Sequence, residues 1–306
     1  MKFACLIFFI LCFSCEQKNS DWIDRSKHDG LFEMNVSDKF ETYSSVTNPT
    51  HIEKTVENLE LAKIYFDKTF EEDLKFAVLF IDNKNWNKYA FTPPPGMPQA
   101  YYEGNMVLGL GKSIMAKKHE ATLKNACESD IAILKNYFGD DIDLDLFFRD
   151  ALSIHELGHL YQSFRTGRNS QRKWLDELFG NLCQVAAIKN FEDQSTFNRM
   201  DSYQEYVIRS HSWGEVKYTT LNQFENDYFE IFKEGRNYGW YQTKFYSKAK
   251  KLYTIYGDKI LVMFRDFQIK INAENTGKID DNKLYEMMLE KFGLETMKIL
   301  EWNYDS

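Results

Sequence analysis

His155 and His159 stand four residues apart in Ser153-Ile-His-Glu-Leu-Gly-His-Leu160, with Glu156 beside the first. This stretch restricts the fold most, because the two histidines act together only if residues 153–160 are helical. Four residues advance a helix by about 6 Å and slightly more than one turn, so both imidazoles leave the same face. At that spacing they hold one metal ion, and Glu156 can reach a water in the ion's open position. Leu144, Phe147, Phe148, Ala151, Leu152 and Ile154 supply apolar positions for a helix running into the motif, and Leu157 and Leu160 seal it against a core. Gly158 costs such a helix roughly 1 kcal/mol relative to Ala. Close packing beneath the metal site is one way to compensate.

Two histidines leave a vacancy, since a catalytic zinc takes three protein ligands and keeps one position for water. Trp174-Leu-Asp-Glu-Leu-Phe-Gly-Asn-Leu182 opens a second helical run, continuing through Cys183, Val185, Ala186 and Ile188. Residues 162–173, with Gly167, Asn169 and Ser170, read as the loop between them. Glu177 is the expected third ligand from this antiparallel helix. Asp176 competes for the role but lies one helical step away and points elsewhere. Asn181, one turn beyond Glu177, is expected to fix the tautomer of a ligand histidine through its free N–H.

His155-Glu-Leu-Gly-His159 followed by Trp174-Leu-Asp-Glu177 resembles the glutamate-zincin superfamily of metallopeptidases, which includes the thermolysin-like and M1 aminopeptidase-like enzymes. The resemblance implies Zn2+ held by His155, His159 and Glu177, with Glu156 polarising the attacking water. It also implies a zincin-like α+β fold, mainly helical, with a small N-terminal sheet and a helical C-terminal lobe. The close likeness covers about thirty residues, and a looser one in the order of elements spans residues 74–304. After the third ligand the chain reads Glu-Leu-Phe-Gly-Asn, where M1-like members commonly have Glu-Gly.

At 306 residues the chain can bury a substantial core, most simply as one catalytic domain with two lobes. Aromatics make up 16% of it, enough to line a cleft as well as fill a core. The formal net charge of -8, without a basic block, argues against a nucleic-acid partner. Residues 1–15 have a short positive start and an apolar run too short to span a bilayer as a helix, which reads as an export signal. Ser14-Cys15 resembles a loose bacterial lipobox, so acylation at Cys15 would anchor the protein to a membrane as a lipoprotein, most simply at the outer membrane of the cell envelope. Plain secretion with cleavage nearby is the alternative. Cys127 and Cys183 then remain in the body, either as a disulfide or as two free thiols.

Residues 16–46 read as a tether and a first packing segment, and residues 47–306 as the catalytic domain. Within it, residues 51–68 carry helical periodicity, and Phe76 to Ile81 form a buried strand in a sheet lobe over residues 74–110. Tyr101-Tyr-Glu-Gly-Asn-Met-Val-Leu108 is the candidate strand beside the cleft, able to pair with a substrate backbone or to form a core hairpin. The metal helices occupy residues 144–190 and a helical lobe residues 200–306. His28, His51 and His119 read as capping or surface groups.

Water attack on an amide builds an oxyanion that a nearby His or Tyr can stabilise. The resemblance allows either kind. His211 is the one late histidine, and Tyr238 and Tyr241 lie in Asn237-Tyr-Gly-Trp-Tyr-Gln242, read as a glycine-containing turn entering a helix. Tyr238 is preferred because a turn can project it into the cleft. The expected function is zinc-dependent hydrolysis of a peptide or protein substrate, with an exported zinc- or peptide-binding protein without turnover as the alternative.

Overall fold

The structure, a computed structural model, describes residues 22–90, 94–101 and 103–301. The segment read as an export signal, with Cys15, lies outside the described residues. Among the described residues no helix is long and apolar enough to cross a membrane.

After a 3-10 turn at Arg25–His28 come β1 (Phe32–Met34) and β2 (Glu41–Ser44), then α1 (Glu53–Phe70) and β3 (Ala77–Ile81). The short α2 (Trp86–Tyr89) leads to β4 (Gln99–Ala100) and β5 (Asn105–Gly109), followed by α3 (Ile114–Thr122) and α4 (Glu128–Phe138). A π-helical turn, Leu146–Ala151, runs directly into α5 (Leu152–Thr166), and α6 is Lys173–Lys189. The remainder is helical: α7 (Ser195–Ser210), α8 (Leu221–Asn226), α9 (Tyr228–Glu234), α10 (Arg236–Tyr256), α11 (Asp258–Glu274) and α12 (Asp281–Leu300). The α+β class and the helical predominance expected from the sequence are both present.

The sheet order is β1-β2-β3-β5-β4, with β2, β3 and β5 parallel and the two outer strands antiparallel to their neighbours. Every residue of β3 is buried, because a parallel strand covered on both faces reads as a continuous apolar run. Val78, Phe80, Met106 and Leu108 face the main core with α1 and α5. Ala77, Leu79, Ile81 and Val107 pack on the other side against Ile23, Trp86 and Tyr89.

Several expectations are corrected here. The sheet starts at Phe32, outside the sheet lobe expected over residues 74–110, so the first packing segment supplies two of its strands; with three and four residues, β1 and β2 are too short to show a period. The cleft-side edge strand is β4, whereas β5, which holds Asn105 to Leu108, is paired on both sides and buried. Tyr238 lies in the first turn of α10 rather than in a turn before it. His28 and His119 are not surface groups: His28 is buried with Nε2 2.8 Å from Asn105 Oδ1, and the Tyr203 hydroxyl lies 2.6 Å from His119 Nδ1. Cys127 is exposed and Cys183 buried, both as free thiols.

Candidate metal centre and its cleft

α5 and α6 pack against each other, and α10 packs on α6 and reaches Glu177 with Tyr238 and Gln242. Two glycines set how close the two helices come. A Cβ on Gly158 would lie 2.6 Å from Cys183 Cβ, so the absence of one lets α5 press onto α6. This close contact offsets the helix propensity that Gly158 forfeits. A Cβ on Gly180 would stand 2.7 Å from both Cε1 and Nε2 of His155, whose ring lies against the α6 backbone.

His155, His159 and Glu177 converge as the spacing predicts. Their potential ligand atoms all lie within 4.8 Å of one another. His155 Nε2 is 2.9 Å from His159 Nε2 and 3.4 Å from Glu177 Oε2. Ligands about 2.0–2.1 Å from a tetrahedral zinc stand roughly 3.3 Å apart, which these two separations bracket, and two imidazoles with a carboxylate are a donor set that suits such an ion in chemistry. The three groups sit in a cleft of about 1070 Å³, which Glu156, the edge-strand residues Gln99 and Ala100, and Tyr101 just beyond them also line.

Charge is distributed unevenly among these groups. Burial opposes ionisation of Glu177, yet the hydrogen bond with His155, the two imidazoles and the Gln242 amide outweigh it and hold the carboxyl down at about 2. Burial also opposes charge on His155, but its contact with Glu177 and the nearby Glu156 push its pKa up. His159 is driven down to about 4 by burial and by its neighbour His155. A fixed carboxylate anion beside two imidazole nitrogens is an arrangement that a divalent cation would neutralise.

Glu156 points into the cleft and accepts the Ala100 backbone N–H at 2.8 Å. Burial raises its pKa to about 7, and the Glu177 anion adds to the rise against the opposing His155 and Ala100 N–H. Ala100 pairs with Met106 on its other side, so the N–H that reaches Glu156 belongs to the open edge of the sheet.

Three supporting residues, Gln242, Tyr228 and Gln162, escaped the sequence reading, and Tyr238 joins the first two at Glu177. Gln242 donates to Glu177 Oε2 at 2.7 Å, while the Tyr238 and Tyr228 hydroxyls both donate to Oε1, at 3.0 and 3.3 Å. Burial, followed by the Glu177 charge, raises both phenol pKa values, keeping them as protonated donors. Gln162 places Oε1 3.5 Å from His159 Nδ1 and donates its amide to Asp176 Oδ1 at 2.5 Å. Asp176 therefore points away from the metal position, as expected, and orients the residue beside a ligand. Only Gln162, one turn beyond His159, carried a local signal.

Comparison with family models, curated proteins and solved structures finds no match to this chain. The site is therefore read from its own geometry.

Asn181 does not reach a histidine: its amide donates to the Glu177 carbonyl at 2.8 Å and to Gln242 Oε1 at 3.0 Å, steadying the glutamine that holds Glu177. His155 Nδ1 is buried without a hydrogen-bond partner among the described residues. Of the candidate oxyanion donors, Tyr238 lies in the cleft. His211 is exposed at the C-terminal end of α7 with a φ of 47° and is not part of the cleft lining. Tyr241 is buried and donates to the Thr220 carbonyl at 2.7 Å.

Proposed function

We propose that this protein is a zinc-dependent peptidase with a zincin-like catalytic domain, in which His155, His159 and Glu177 hold the ion and Glu156 is the general base. The observation that carries the reading is the convergence of those three ligand atoms within 4.8 Å, in a cleft that Glu156 shares. When bound, zinc supplies Lewis-acid polarisation of the scissile carbonyl and acidification of water.

The chain's own residues do the rest. Glu156, with its pKa raised to about 7, takes a proton from the attacking water and returns it to the departing amine. The open edge of β4 offers backbone groups for an extended peptide, beginning with the Ala100 N–H that Glu156 now occupies. Tyr238 and Tyr228 hold protonated hydroxyls beside Glu177, and one that turns from Oε1 to the substrate oxygen stabilises the oxyanion. Gln242 remains to hold Glu177 when a hydroxyl leaves.

The alternative, zinc or peptide binding without turnover, draws on one contact: the Ala100 N–H occupies the carboxylate that the reaction needs free. Zinc content and cleavage of a diverse peptide library, compared between the parent and Glu156→Gln, separate the two. The peptidase reading expects about one zinc per chain in both proteins and metal-dependent cleavage largely lost in the variant. Zinc uptake without cleavage by either protein favours the binding reading, and a parent that takes up no zinc overturns both.

A further inference from the structure

The cleft extends past the metal position toward the N-terminal end of α5. There Phe148, Leu152, Tyr203, Val207 and Trp213 line it, with Leu152 one turn before His155. The walls are fixed. Trp213 lies against α10 where a Cβ on Gly239 would stand 2.4 Å from Cη2, and its indole N–H donates to Thr243 Oγ1 at 3.1 Å. The Tyr203 ring packs edge-on to Phe148 at 5.5 Å, and its hydroxyl is taken up by His119. The polar tips of both aromatic walls are thus already engaged within the protein.

Gln204 is different. It lines the same recess and is only 7% exposed, yet its side-chain amide has no hydrogen-bond partner among the described residues. Its polar atoms are not sealed from solvent, so the amide opens on the recess as a donor and acceptor that a ligand hydroxyl can engage in place of water. Charged residues of the lining lie elsewhere, among them Glu156 and Glu177 at the metal position and Arg168 and Lys173 beyond the C-terminal end of α5. A charged side chain in the recess would find no counter-ion and would forfeit its hydration.

Distance sets the size of the guest. Gln184 donates to the Ala151 carbonyl at 2.9 Å, placing this level of α6 beside the start of α5, seven residues beyond Glu177. Seven residues of helix span about 10 Å. A long side chain attached next to the scissile bond covers that gap and a short one does not.

We infer that this recess binds a tyrosine side chain of the substrate, with the aromatic walls taking the ring and Gln204 reading the hydroxyl. The inference rests on the peptidase reading for its substrate class, but its test is one of binding. A pocket built to hydrogen-bond a hydroxyl rejects the analogue that lacks it far more strongly than an apolar pocket separates two hydrocarbons.

The probes are pentapeptides Ala-Ala-Xaa-Ala-Ala in which Xaa is Tyr, Phe, Leu or Arg. Their affinities are measured at equilibrium with the zinc-loaded Glu156→Gln protein, which does not consume them. Tyr is expected to bind at least about tenfold tighter than Phe, with Leu weaker and Arg weakest. Adding Gln204→Leu should bring Phe above Tyr, whereas Trp213→Ala should weaken both without changing their ratio. Equal affinity for Tyr and Phe in the starting protein overturns the inference without any recess variant, so a Gln204→Leu chain that fails to fold cannot protect it. A Tyr preference that persists in a folded Gln204→Leu protein overturns it as well. If the parent cleaves nothing while the Gln204-dependent preference stands, the peptidase reading falls and the recess assignment survives.

Discussion

Replacing Gly180 with alanine tests the metal centre without touching a ligand. The new Cβ would meet the His155 ring at 2.7 Å from Cε1 and Nε2 and 2.9 Å from Nδ1. The nearest approach must open from 2.7 Å to an ordinary contact of 3.4 Å, a shift of about 0.7 Å. Metal sites hold their ligand distances to within about 0.2 Å, so His155 cannot satisfy the added methyl and the ion together. Perturbing the groups that orient ligands costs roughly 10–100-fold in metal affinity, and displacing a ligand ring should cost at least the upper figure. Fold stability should respond much less. The substitution returns about 1 kcal/mol of helix propensity, against an overpacking cost of about 1–3 kcal/mol. The assay is zinc affinity by competition with a chromophoric chelator, alongside thermal melts of the zinc-free proteins. A Gly180→Ala protein that melts close to the parent and binds zinc within about twofold of it would refute the account of how His155 is placed.

Two further outcomes follow from the geometry. Tyr238→Phe and Tyr228→Phe each remove one donor from Glu177 Oε1 while leaving Gln242 on Oε2, so zinc content should hold; the phenol that serves the oxyanion should lower kcat about 10²–10³-fold and the other much less, and equal small effects would remove tyrosine from the reaction. Burial lowers the His119 pKa to about 4, so between about pH 6.5 and 4 the unfolded chain binds a proton that the folded chain refuses. Stability should therefore fall as pH drops through that window, by on the order of 3 kcal/mol from this group, and denaturant titrations of His119→Asn should show a shallower slope; an identical slope would exclude His119 as its source.

The sequence by itself determined the two helices of the candidate metal centre. An i, i+4 histidine pair in an apolar helical pattern places two imidazoles on one face through backbone geometry alone, and a short loop to the next helix brings Glu177 within reach of them. The buried strand at Ala77–Ile81 was equally legible, since five consecutive apolar residues between breakers have few other uses. Tertiary structure alone decided which groups attend the ligands. Tyr228 and Gln242 lie 51 and 65 residues beyond Glu177, and the Ala100 N–H that meets Glu156 comes from a two-residue strand 56 residues upstream. Such partners leave no period in the sequence, because what unites them is the packing of α6, α9, α10 and the sheet edge around one point. Gly158 and Gly180 show both sides of the division. Their sequence positions mark a cost to the helix, but only the packed structure shows that Cys183 and the His155 ring occupy the space each leaves.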